Sequence, residues 1–368
     1  MLRKTVSQYF GSMQRFLFPE FRDELGPTTD KHLQVIVALD MIKIEEFLPY
    51  KSQFTMGRPT KDRDALARAL IAKPILGITT TTGLIDRLKV DAALKRLCGF
   101  QGRLPSEATF SNAFAEFSSC GLMEKAHAHL VKDIFQGKII GHVSRDSTAI
   151  DCRERPLAKE KLVADSDPKN RPKRGRPKKD DIRSAKEPSR IERQLNMSVE
   201  AMVGELPMAC DTGCKKDSKG NPNYWIGYKL HVDVDDNGIP LTAILTSASL
   251  HDSQVAIPLE AITSERVVSL YSVMDAAYNS EHIVDYISSR GKVSIIDPKK
   301  PRGGEKVPLD PAKKERFKVR TTVERANSAF KDDFGAKHIR VRGHAKVFSH
   351  LMSGVVAMTA LRIVEAFL

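Results

Sequence analysis

The chain has 368 residues and a formal charge of +13, with 59 Lys and Arg against 46 Asp and Glu. That length allows two or three domains with a substantial core, and the charge favours a polyanionic partner, while a basic balance alone also fits ribosomal or membrane-surface proteins. Five cysteines, an odd number, argue against a disulfide scaffold and for free thiols in a reducing compartment.

The amino terminus, Met1 to Phe18, has scattered apolar residues and no signal-peptide core. A helix is expected around Leu33 to Leu48, and residues 57–136 read as wholly helical. Asp62 is a plausible cap for a helix carrying Ala65, Leu66, Ala69, Leu70 and Ala72. Pro105 to Phe114 opens another, with Thr109 and Asn112 available for base edges. Gly57-Arg58-Pro59 reads as a linker.

From Ile139 the pattern turns to strands. His142 to Thr148 is a weaker strand signal than the others because Arg145 interrupts its apolar run. Residues 153–195 are charged, poor in large apolar side chains and rich in proline, a composition that cannot bury enough surface to order itself. Six of the nine residues 171–179 are Lys or Arg. Arg174-Gly175-Arg176-Pro177 is similar to an AT-hook, with Lys173, Arg174, Arg176 and Lys178 able to lie along a narrow minor groove. Cys210 and Cys214 have no second pair at ligand spacing, so no structural zinc is expected there.

Tyr228 to Val234 and Ile239 to Thr246 flank Asp235-Asp236-Asn237-Gly238, a hairpin signal. His251-Asp252 either approaches a site at the strand ends or caps the helix that starts near Ser253. Val267 to Met274 reads as a buried strand ending at Asp275, and Lys292 to Ile296 as another. Acids at the carboxyl ends of strands in an open α/β sheet point into the ligand crevice, which singles out Asp275 and Asp146.

The last motif is a helical stripe of Arg320, Glu324, Asn327 and Lys331, at offsets of 4, 7 and 11. These share one face, and Val319, Val323, Ala326 and Phe330 form an apolar stripe one residue round the helix. A carboxylate flanked by two cations on a half-buried helix suits a metal ligand held beside phosphates. Leu351 to Leu361, closed by His350 and Arg362, reads as a core helix too short to span a bilayer.

These residues resemble the DDE transposases of bacterial insertion sequences. Their carboxy-terminal signature, Tyr-x2-Arg-x3-Glu-x6-Lys, is matched by Phe317, Arg320, Glu324 and Lys331, with Phe in place of Tyr. Asp146-Ser147-Thr148 and Asp275-Ala276-Ala277-Tyr278 are similar to the family's first and second acid motifs, and Trp225 to His231 to a further one. The resemblance runs from about residue 55 to the end. It implies an α/β RNase H-like catalytic core, a mixed sheet flanked by helices, over residues 137–368, interrupted by a disordered basic insertion at about 153–195. An all-α DNA-binding domain, residues 1–136, precedes it. Asp275 and Glu324 are 49 positions apart, which leaves no room for the large β insertion some relatives carry there.

The resemblance further implies that Asp146, Asp275 and Glu324 are catalytic and hold two Mg²⁺ or Mn²⁺ ions, a hard-cation, all-oxygen set. Arg320 and Lys331 would clamp phosphates, with Phe317 packed against the backbone but unable to donate a hydrogen bond. The implied reaction is cleavage at element ends and strand transfer into target DNA. The expected partners are double-stranded DNA and a second copy of the chain, with no membrane, in the bacterial cytoplasm at the nucleoid. Two other readings stay open: an RNase H-like nuclease without strand transfer, and a DNA-binding protein that does not catalyse.

Overall fold

The computed structural model describes residues 28–49, 62–156, 187–216, 219–299, 303–305 and 307–367. The first helices are α1 (Asp30–Ile42), α2 (Arg63–Ile75), α3 (Thr81–Val90), α4 (Ala92–Leu97), α5 (Glu107–Ser119) and α6 (Leu122–Phe135). Their starts follow local chemistry. The Asp62 carboxylate accepts from the amides of Asp64 and Ala65, and the Ser106 hydroxyl from that of Thr109. Both helices start where the sequence places them. The reading Gly57-Arg58-Pro59 lies outside the described residues.

Next come β1 (Ile139–Asp151), α7 (Arg190–Gln194), α8 (Val199–Gly204), β2 (Asp211–Lys216), β3 (Pro222–Val234) and β4 (Pro240–Ser247). A 3₁₀ turn (Asp252–Val255) leads into α9 (Ala256–Arg266) and β5 (Val268–Met274). After a second 3₁₀ turn (Ala276–Tyr278) follow α10 (Glu281–Ser289), β6 (Val293–Ile296) and α11 (Pro311–Phe317). A third such turn (Lys318–Arg320) joins α11 to α12 (Thr321–Asp333), and α13 (His344–Phe367) closes the chain.

The sheet is mixed. β3 pairs antiparallel with β1, β2 and β4, whereas β1–β5 and β5–β6 are parallel. The hairpin between β3 and β4 forms as expected, its turn held by the Asp235 carboxylate, which accepts from the amides of Asn237 and Ile239. α12 and α13 pack on one face of the sheet, and α9 with α8 and α10 on the other. Buried residues of α1 to α6, of α13 and of that sheet face form one continuous cluster.

Two expectations need correction. The insertion placed at about 153–195 ends earlier. Ser189 and Glu192 form a capping box, Ile191 packs beside Met202 and Tyr278, and buried Gln194 donates to the Gln254 carbonyl. Mostly polar side chains make these contacts, so apolar content alone does not reveal them. Lys173, Arg174, Arg176 and Lys178 lie outside the described residues. The late apolar segment is also longer than Leu351–Leu361: α13 has 24 residues, long and apolar enough to cross a membrane by length and composition. Its packing against α1, α2, α5, α6 and β4 makes it a core helix.

β1 is a full 13-residue strand despite Arg145. Arg145 is 1% exposed, on the face opposite Asp146. Its guanidinium grips Asp233 through both carboxylate oxygens (2.8 and 2.7 Å) and donates to Glu260 at 3.0 Å and to the Ala256 carbonyl at 3.1 Å. Thr263 donates to Asp233, and Lys292 and Ser272 donate to Glu260. Burial by itself pushes the Glu260 carboxyl up, but Arg145 and Lys292 outweigh it and hold it at about 2. Arg145→Ala leaves two carboxylates buried with one lysine between them. It should lower the unfolding free energy in urea titrations by about 3–5 kcal/mol. A loss below about 1 kcal/mol, typical of a surface pair, would mean that the cluster is hydrated.

Candidate active site

β1 and β5 bring the two aspartates together. Their parallel register pairs Val143 with Ser272 and Ser144 with Val273. Two residues further on, the same register sets Asp146 beside Asp275, on strands roughly 4.8 Å apart. Asp275 closes β5, and its carboxylate accepts from the Ala277 amide at 2.9 Å. The capping role open to any strand-end Asp is therefore real.

α12 supplies the third acid. The Ser144 hydroxyl donates to the Val319 carbonyl at 3.3 Å and pins the turn before α12 to the Asp146 face of β1. The apolar stripe buries as expected at Val323, Ala326 and Phe330. The polar stripe divides its work. Asn327, buried, donates to Asp146 at 3.3 Å. Arg320 lies in the 3₁₀ turn rather than in the α-helix proper, and its guanidinium holds Glu324 at 2.6 Å. Lys331 is half-buried near Asp151, Lys215 and Lys337. Phe317, at the end of α11, is partly exposed.

Electrostatics mark Asp146 as the central group. Burial raises its carboxyl above the usual range, and the nearby Asp275 adds to the rise, while Lys215 and Arg320 oppose it. No three His, Cys, Asp or Glu side chains among the described residues converge closely enough to hold an ion. The donor chemistry of Asp146, Asp275 and Glu324 nevertheless fits a hard divalent cation, because all are carboxylates and Asp146 and Asp275 are side by side. Glu324 is held by Arg320 instead. The Tyr278 hydroxyl points the same way. It is fully buried, feels Asp252, Asp146 and Asp275, and has no hydrogen-bond partner among the described residues.

A layer behind the site went unassigned in the sequence. Asp252 binds Lys229 at 2.9 Å and also the side chain of Ser147, the residue after Asp146 on the opposite face of β1. His251 caps the turn, accepting from the Ser253 amide. His231 bonds Thr246 at 3.0 Å, and burial lowers its pKa to about 4, leaving it neutral. The Trp225 to His231 motif thereby becomes intelligible. Trp225 lies over Gly213, where a Cβ would come within 2.3 Å of the ring. A Cβ at Gly227 would meet the Ile150 carbonyl oxygen at 2.0 Å, so only glycine lets β3 approach β1 there. Lys229 and His231 follow on the face that holds Asp252. Spacing flags the motif, but only the strand pairing gives its members roles.

With this geometry in view, residues 208–360 match the family model of the transposase DDE domain, and residues 23–116 match that of a second transposase domain (DUF772). The chain belongs to the DDE transposases of insertion sequences. No curated protein and no solved structure matches it significantly. The DDE-domain match contains Asp275 and Glu324 but begins after Asp146. Placing Asp146 in the transposase's site therefore rests on its register with β5 and its bond to Asn327. Asn327→Ala removes a hydrogen bond to a charged group, worth about 1.5–3 kcal/mol. It should lower DNA cleavage at limiting Mg²⁺ by about tenfold or more, with partial recovery at high Mg²⁺. An unchanged Mg²⁺ titration would separate Asn327 from the site.

Proposed function

We propose that this transposase cuts DNA at the ends of its insertion sequence and joins the freed 3′ ends to target DNA. Asp146, Asp275 and Glu324 would be its catalytic carboxylates. The observation that carries this reading is the lateral placement of Asp146 against Asp275, with Asn327 of the Glu324 helix bonded to Asp146. The strand order supports an RNase H-like core: antiparallel β4, β3 and β1 are followed by parallel β5 and β6. In the same reading the helices before residue 137 form the DNA-binding part, and the catalytic part follows.

The three carboxylates would hold two Mg²⁺ or Mn²⁺ ions. Bound there, the ions supply Lewis-acid stabilisation of the attacking and leaving oxygens. The protein's own groups do the positioning. Arg320 exchanges Glu324 for a phosphate when DNA arrives, which frees Glu324 for the site and makes its assembly depend on substrate. Lys331 takes a neighbouring phosphate, and Phe317 packs against the backbone without donating to it. Buried, neutral His231 and the Lys229–Asp252–Ser147 contacts keep the strand ends in place. Joining two ends to one target calls for two copies of the chain on the DNA, in the bacterial cytoplasm at the nucleoid.

The test is a cleavage and strand-transfer assay on oligonucleotides carrying the element's ends. Asp146→Asn, Asp275→Asn and Glu324→Gln should each abolish Mg²⁺-dependent cleavage while DNA affinity stays within a few-fold. Wild-type rates in any one of them remove that residue from the triad. Cleavage without joining would favour the plain nuclease.

The basic segment 171–179 belongs to the same reading through its charge. Deleting it removes six cationic residues and should weaken duplex binding, more on A·T-rich than on G·C-rich DNA. Equal losses on both, measured by gel shift, would reduce it to a sequence-blind contact.

A further inference from the structure

Between α12 and α13 the chain carries a run of cations with no acids. From Phe334 to Val364 it has no Asp or Glu. The segment 335–343 is not a loose loop. Ala336 and Ile339 are buried, and Val341 packs against the core. Lys337, Arg340 and Arg342 stand exposed between them, Lys337 paired with Asp332 near the end of α12. Both ends are tied down: the Gly335 carbonyl contacts the His350 ring at 3.3 Å, and the Gly343 amide donates to Glu154 at 2.8 Å, just past β1. Apolar side chains fix the backbone while the cations face outward, as on a strand laid along the surface.

The run has cationic neighbours at both ends. Toward the site, Lys337 and Lys215 lie near Lys331, and Lys215 also lies near Asp146. Toward the amino-terminal helices, Arg340 lies near Lys73 of α2. Burial first, then Arg340, brings Lys73 down to about 8. Burial and Lys73 bring His350 down to about 4. Among the described residues, no carboxylate pairs with Lys73, Arg340 or Arg342. A half-buried lysine beside Arg340 costs the fold stability, and a polyanion removes that cost.

We propose that Lys215, Lys337, Arg340, Arg342 and Lys73 form a track for the phosphate backbone of duplex DNA, running from the carboxylates to the amino-terminal helices. It rests on the transposase reading above and adds to it a path. One duplex, cut at Asp146 and Asp275, is held along α12, the 335–343 segment and α2. The helices that would recognise the element's end are thereby kept in line with the cut. Phosphate contacts of this kind set register and carry no sequence preference.

The test titrates the full-length protein in EDTA, where no cleavage occurs, with a fluorescent random-sequence duplex at several salt concentrations. Anisotropy gives the slope of log affinity against log salt. The combined variant Lys73→Gln, Arg340→Gln, Arg342→Gln should reduce that slope by about two to three and weaken binding at moderate salt by at least tenfold. Arg340→Lys with Arg342→Lys should keep the wild-type slope, because the charge stays. Should the combined variant fail to fold, Arg340→Gln with Arg342→Gln touches only exposed side chains and should still remove about two. A slope unchanged in a folded variant overturns the track. Wild-type protein with no duplex affinity would instead sink the DNA-acting reading, and loss of cleavage in triad variants bears on catalysis alone.

Discussion

The buried guanidinium of Arg145 is the interaction on which the rest of the architecture depends. It lies on the central strand, one residue before Asp146, and binds Asp233 on β3 and Glu260 on α9. Lys292, just before β6, completes the cluster through Glu260. Such clusters add little net stability over an apolar core, since desolvation offsets most of the attraction. Their effect is on register. Slipping β1 by one residue would turn Arg145 toward α12 and bury Asp146 among Asp233 and Glu260. Two buried carboxylates would lose their cation and a third would join them. The penalty locks Asp146 onto the α12 face beside Asp275.

On that face the site is poised but incomplete. Asp146 and Asp275 are set by the sheet, and sheets deform little. Glu324 is set by a helix whose approach is fixed by Val323, Ala326 and Phe330 and by the Ser144–Val319 bond. Its carboxylate, 53% exposed, stays with Arg320. Two of the three carboxylates are thus placed by the sheet, and the third by a contact with Arg320 on the helix surface.

The described helices before β1 share one core with α13 and the sheet. α13, the last element, packs against α1, α2, α5 and α6 and also against β4. The cationic 335–343 segment lies at this joint, between the helix that carries Glu324 and the helix that ties the two parts together.

Much of this was legible in the residues alone. Helix caps, the β3–β4 hairpin, the strand ending at Asp275 and the two stripes on α12 are local patterns, set by periodicity and by side chains bonding to nearby backbone. Arg320, Glu324 and Lys331 were legible for the same reason, as one helix face, whereas Phe317 stood out only through the resemblance to the family signature. Contacts distant in sequence were not. Arg145 reads as a break in a strand until Asp233 and Glu260, 88 and 115 residues away, are brought to it. Asn327 reads as one more polar residue until Asp146, 181 residues away, is beneath it. The capped helix at Arg190–Gln194 has the composition of a linker and gains its place from distant partners such as Gln254 and the Met202 cluster. Sequence by itself determined which residues could do chemistry and which local elements carry them. Tertiary structure decided which faces they share, because pairing across strands and burial of charge depend on partners that no local window contains.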